Sequence, residues 1–369
     1  MSEAIVLSGG GAFAAYEVGV MKGLFERQPE LRPAIYTGAS AGGYNAAIMV
    51  ALEGSGPRAA AEHLEQVWLE RIAAHPRTLE NGVFRLRGDV PRYLDALFSP
   101  HPAVAPFIEM ADDASFFAQD VLNRATHALF SRAPLPRRAV ELVDLAAFFS
   151  SEPMRNLIRD TVDFAKIRSS DAKLSIAATD WLSGEIKTFR GEDLTDEIGP
   201  LAIAASAAIP GIFPPVELGG RHYADGGVLA NTPLAPAIRL GADVLHVIYL
   251  TPDPSDIPLP GTQSTVGTIE RLLVVGTSGR VMSDIDNLRR INKIILDRGS
   301  TLYAPLTVHR YQPGKSLGGV LGLLDFRRKR IVELIERGYQ DAIAHDDKYC
   351  EENGCVLPVR VAHAATARN

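Results

Sequence analysis

The stretch GASAGG, 38–43, places Ser40 between Gly38 and Gly42. A serine in a G-x-S-x-G turn acts as a nucleophile when a proton acceptor and donors for the resulting oxyanion stand beside it. The acceptor candidate lies far along the chain. In HYADGGVLANTPL, 222–234, Asp225 precedes Gly226 and Gly227. Its carboxylate is therefore expected on a turn that faces a cleft, where desolvation raises its pKa toward that of a general base. The nine histidines are weaker candidates. His246 sits in an apolar run, His309 and His345 lack glycine-rich surroundings, and His222 is three residues from Asp225, which in a continuous strand puts it on the opposite face. The third element is the Gly9, Gly10, Gly11 triplet, whose backbone N–H groups can approach a ligand without side-chain obstruction. Taken singly, each piece also reads as an ordinary turn. The triplet lacks the lysine of a phosphate-binding loop, and an isolated D-G-G fits a hairpin.

These residues need elements to position them. AIVLS, 4–8, reads as a short strand running into the glycine triplet, and AAYEVGVMKGLFER as a helix with Val18, Met21, Leu24 and Phe25 on one face. AIYTG, 34–38, is a second strand, and AGGYNAAIMVALEG a second helix ending at Gly54. Strand, turn, helix, repeated, predicts an α/β fold with a parallel sheet. In that context the helix after Ser40 aims its N-terminal amides at the site, and Ala41 N–H becomes an oxyanion donor. Further strands are expected at 173–179, 185–190 and 243–250, with Ser183-Gly184 turning the first pair into a hairpin. A short helix is expected at 233–241, a Pro-rich loop at 251–262 and an amphipathic helix at 325–345. An Ala-rich helix at about 198–209, stopped by Pro210-Gly211, would hold the Asp225 turn at a fixed distance from Ser40.

Residues 58–165 differ in character. They are helical in pattern, broken by prolines from Pro76 to Pro153, and read as a helical insertion. Seven of the fourteen phenylalanines fall at 90–150: Phe98, Phe107, Phe116, Phe117, Phe130, Phe148 and Phe149. Large apolar side chains without polar atoms suit an acyl-chain wall or a lid, and equally an ordinary helical core.

Composition narrows the classes. At 369 residues and 46% hydrophobic, the chain supports one large core. A formal charge of −6 argues against a nucleic-acid partner. The start has no basic region ahead of a long apolar run, and the longest apolar stretches fall short of a membrane span, so a cytoplasmic chain is expected, docking peripherally on lipid. Cys350 and Cys355 are spaced C-x4-C. They read as free thiols, and no metal site is expected from them.

Four segments together resemble the patatin-like phospholipase family: LSGGGAFAAYEVGVMKGL, GASAGG, ASAAIPGIFPPV (205–216) and DGGVLANTPL (225–234), in the family's order. ERGYQDA, 336–342, is similar to the family's closing helix. The resemblance spans about residues 3 to 345, taken as one catalytic domain (1–345) with the insertion at about 58–165 and a tail at 346–369. It implies a three-layer α/β/α sandwich with a mainly parallel sheet, and hydrolysis of lipid acyl esters without metal or cofactor. It implies Ser40 as nucleophile, Asp225 as base with no histidine, and the Gly9–Gly11 loop as oxyanion hole. One departure stands out: Phe13 and Ala14 occupy the places where the family usually carries a basic residue and a glycine. That change removes a positive charge beside the loop. The same dyad would also serve an acyltransferase or thioesterase, and a decayed site would leave a lipid-binding regulatory protein.

Overall fold

The structure, a computed structural model, describes residues 2–74, 81–87, 110–119, 122, 149–252, 265–298, 304–345 and 355–356. The chain opens with β1 (Glu3–Leu7), a 3-10 turn at Gly11–Ala14 and α1 (Ala15–Arg27). β2 (Ile35–Ala39) then turns at Ser40 into α2 (Ala41–Ala51), and α3 (Pro57–Val67) follows. A small ribbon pairs β3 (Arg85–Leu86) with β4 (Phe149–Ser150). Next come α4 (Glu152–Thr161), α5 (Phe164–Ser169), β5 (Lys173–Asp180), β6 (Ile186–Arg190) and α6 (Ile198–Ser206). β7 (Val216–Leu218), β8 (Arg221–Asp225), α7 (Gly227–Ala230), α8 (Leu234–Arg239) and β9 (Val244–Ile248) continue the chain. It closes with α9 (Thr265–Arg298), β10 (Thr307–Tyr311) and α10 (Arg328–Ile343).

Among the described residues one sheet runs β10-β9-β1-β2-β5-β8-β7, with β6 also on β5. The pairs from β10 to β5 are parallel, and β6, β8 and β7 are antiparallel additions. Alternation along the strands feeds two cores. Ile5, Leu7, Tyr36 and Ile248 join α1, α2, α3 and α10 on one face. Ala4, Val6, Ile35, Leu245 and Val247 join α8 and α9 residues such as Leu234 and Ile285 on the other. This is the expected three-layer sandwich.

Most expected elements are present, with ends shifted by a residue or two. The additions include β10 and the 34-residue α9. The expected insertion at 58–165 begins inside the main layer, because Ala60, Ala61 and Leu64 of α3 are buried in the same core as α1 and α2. Phe98, Phe107, Phe130, Phe148, Cys350, and most of both the Pro-rich loop and the tail lie outside the described residues. No helix among the described residues is long and apolar enough to cross a membrane.

Candidate active site

Ser40 leaves β2 with φ 53° and ψ −131°, the one positive φ of a non-glycine residue among those described. Such a conformation is costly and persists only where the surroundings enforce it. Here they do. A Cβ at Gly38 would meet Gly42 O at 2.4 Å, and one at Gly42 would meet Ser8 O at 2.6 Å. The two glycines let the turn close tightly enough to push the serine side chain out of the strand line. The Ser40 amide donates to Ser206 Oγ (2.8 Å), and that hydroxyl donates to Ala177 O (2.6 Å). Ser206 thus ties the turn to β5 from the end of α6.

Strand register brings the carboxylate to the serine. β2 pairs with β5 as far as Ala39↔Ala177 and then departs into α2. β8 runs antiparallel along β5 from Ala178↔Asp225 to Asp180↔Tyr223. The other edge of β5 is taken by β6 up to Thr179↔Ile186, so β8 occupies the edge that β2 has left. Asp225 therefore falls one residue beyond the end of β2. Its amide donates to Ala208 O (2.9 Å), and the Gly226 amide to Ser206 O (3.1 Å). The Ala-rich segment holds the turn in place as expected.

Ser40 Oγ donates to Asp225 Oδ2 at 2.7 Å, and Gly227 N–H donates to Oδ1 at 2.6 Å. Both side chains are buried, Ser40 3% and Asp225 6% exposed. Burial pushes the Asp225 carboxyl up to about 6, against the opposing pull of its bonds to Ser40 and Gly227. His222 is exposed and lies three positions before Asp225, ahead of the buried residues of β8.

The glycine loop adjoins this pair, for a Cβ at Gly9 would stand 3.1 Å from Ser40 Cβ. One expected donor is otherwise engaged: the Gly9 amide donates to Asn231 O at 2.9 Å. The amides of Gly10, Gly11 and Ala41 have no acceptor among the described residues. Gly11 has φ 52°, and a Cβ there would strike Leu323 O at 2.3 Å. Phe13 is buried and packs where Cβ atoms at Gly318 and Gly322 would lie. An apolar contact with the 320–324 turn thus occupies the place of the absent basic residue.

Sequence reading missed the anchors of this loop. Ser8 N–H donates to Glu17 Oε1 (2.7 Å), and Asn45 Nδ2 donates to Glu17 Oε2 (2.9 Å). Trp68 Nε1 donates to Asn45 Oδ1 (2.8 Å). The Ser8 hydroxyl lies 2.7 Å from both Thr232 Oγ1 and Ile248 O. Burial holds Glu17 well above the usual carboxylate range, despite its bonds to Asn45 and Ser8. The one available signal was a glutamate inside an otherwise apolar helix.

An apolar cleft opens on Ser40. Its walls include Ala41, Tyr44, Trp68, Ile72, Leu157, Ile158, Ile203, Phe213, Leu324 and Phe326. Phe116 and Phe117, expected near an acyl wall, do not line it. They pack edge to face on each other, with the Arg87 guanidinium 3.8 Å from the Phe116 ring centre. Phe149 comes closer, edge-on to Phe213 and Phe84.

Sheet, strained serine turn and apolar cleft define a three-layer α/β protein with a candidate nucleophile at the end of a central strand. Residues 5–238 match the family model described as Patatin-like phospholipase, and the chain belongs to that family. Uncharacterized NTE family proteins of Mycobacterium bovis and Mycobacterium tuberculosis are 36% identical over 102 residues, which is 27% of this chain and 26% of theirs. The match thus spans about a quarter of the length of those relatives. Among solved structures, VipD from Legionella pneumophila is 15% identical with a TM-score of 0.36, over 95% of this chain and 67% of that one. The type III effector ExoU is 12% identical with a TM-score of 0.30, over 96% of this chain and 53% of that one.

Proposed function

We propose that the protein hydrolyses fatty acyl esters of phospholipids or related lipids through a Ser40–Asp225 dyad. Ser40 Oγ attacks the acyl carbonyl while its proton passes to Asp225 Oδ2. The amides of Gly10, Gly11 and Ala41 stabilise the oxyanion, assisted by the α2 N-terminus. The alcohol leaves, and water releases the fatty acid from an acyl-enzyme. The acyl chain lies in the cleft between Trp68, Ile158 and Phe326, which exchanges apolar surface without exposing polar groups. The observation that carries this reading is the 2.7 Å bond from Ser40 to a buried carboxylate beside that cleft.

Ser40→Ala is expected to abolish turnover of a short-chain ester and labelling by a fluorophosphonate, with an unchanged circular dichroism spectrum. Wild-type turnover by this variant would reject the assignment.

A further inference from the structure

A second group of reactive side chains lies at the far edge of the sheet. His309 sits in β10, His345 follows the end of α10, and Cys355 belongs to a segment that returns to the outer edge of β10. One ligand atom from each lies within 4.8 Å of the other two. The segment is held by backbone bonds as well. Val356 pairs with Val308 in an antiparallel bridge, and Arg310 N–H donates to Cys355 Sγ at 3.2 Å. Behind the group, His246 of β9 stacks on His309, with centroids 5.0 Å apart and planes at 15°. His246 is 2% exposed, and its Nε2 has no hydrogen-bond partner among the described residues.

We propose that His309, His345 and Cys355 bind a zinc ion that clamps the 355–356 segment onto the sheet edge. Two imidazoles and a thiolate form a borderline-soft donor set that suits Zn2+ better than a hard cation. Metal–nitrogen distances of about 2.0–2.1 Å and a metal–sulfur distance of about 2.3 Å separate tetrahedral ligand atoms by roughly 3.3–3.6 Å. The three side chains reach this by closing at most about 1.5 Å, a movement that side-chain rotation supplies. Cys355 binds as thiolate, its proton leaving to solvent. The three protein ligands leave a fourth position for water. The clamp is separate from the serine turn: β10 is three strands from β2, about 14 Å at roughly 4.8 Å per strand. Lipid hydrolysis and metal binding are therefore independent properties, and removing the ion leaves the serine site intact. The ligand spacing hid the site in the sequence, because His309 reaches Cys355 through the fold and only His345 is near it along the chain.

The test uses the full chain, stripped by a chelator and then titrated with Zn2+ against a chromogenic competitor. One equivalent is expected to bind, and Co2+ in its place should give a thiolate-to-metal charge-transfer band. Cys355→Ser should abolish the band and weaken Zn2+ binding by about 100-fold or more, exceeding the 10–100-fold effect of outer-shell changes. His309→Ala should weaken it similarly. Cys350→Ser should keep both band and affinity, and circular dichroism checks the fold of each variant. Absence of stoichiometric Zn2+ binding by the wild type would overturn the proposal. So would unchanged binding in folded Cys355→Ser, or a band lost only in Cys350→Ser.

Discussion

Asp225 and Glu17 are both buried carboxylates, each accepting two hydrogen bonds, and desolvation pushes both upward. They end in different conditions. Asp225 rises to about 6, and one of its partners is a hydroxyl that lines an open cleft. Glu17 is held well above the usual carboxylate range, fully enclosed between the Ser8 amide and Asn45, which is itself fixed by Trp68. One carboxylate is poised to exchange a proton near neutral pH, whereas the other is a strut beneath the glycine loop. Burial alone makes the strut. Burial beside a reactive hydroxyl and a cleft gives the geometry of a base.

The largest effect that sharpens this contrast is on turnover. Asp225→Asn keeps the shape and removes the acceptor, so kcat on a short-chain ester should fall by about 10²–10⁴. Glu17→Gln should leave kcat near wild type. If both variants lost activity equally while folded, the contrast would fail.

Stability should show the reverse ordering. Glu17→Ala opens a cavity and strands the Ser8 amide and the Asn45 amide group, at a cost of about 2–4 kcal/mol. Denaturant titration should register that loss, and Glu17→Gln should recover only part of it, because its amide keeps the volume and one acceptor but turns an NH2 toward the second donor.

The third effect is on pH. On the proposed mechanism hydrolysis needs Asp225 ionised, so kcat/KM should fall about tenfold per unit below pH about 6. The same shift acts on folding with a definite sign. The folded carboxyl titrates near 6 and the unfolded one near 3.8, so the folded state binds more protons between those values. Stability therefore declines as pH rises through that window, and the full penalty stands above it. Asp225→Asn should then have a Tm above wild type at pH 7, and that gain should vanish below about pH 4. An equal gain at pH 4 and pH 7 would show that the carboxylate's ionisation is not the cause.

The smallest effect concerns His222. It is exposed on β8, so His222→Ala should change kcat by no more than about twofold, in keeping with the ±0.5 kcal/mol typical of surface changes. A folded but inactive variant would replace the dyad with a histidine relay.

The serine turn and the Asp225 turn were legible in the sequence because each carries its own glycine signature within a few residues. The parallel start of the sheet was legible for the same reason: strand, glycine turn and helix follow one another locally. Other features were not. α9 contains Gly276 and Gly279, and its apolar residues do not form one clean stripe, for Leu272, Val275, Ile291 and Ile294 are exposed. β10, TVHRY, mixes polar and apolar residues on a strand that pairs along one side with β9. Glu17 was not singled out because its partners, Ser8 and Asn45, come from other elements. The glycine loop beside Ser40 was legible, but the commitment of Gly9 to Asn231 depends on a segment more than 200 residues away.

Ser40 and Asp225 are 185 positions apart, yet their separation follows from β8 filling the edge of β5 that β2 vacates. This makes the pair a late product of the ribosome. A nascent chain that has released β1 through β6 carries the serine with no carboxylate opposite it. Only after β7 and β8 emerge and seat does the hydroxyl acquire its acceptor. On the proposed mechanism, a chain built in this order stays inert toward the membranes around it until β8 is in place.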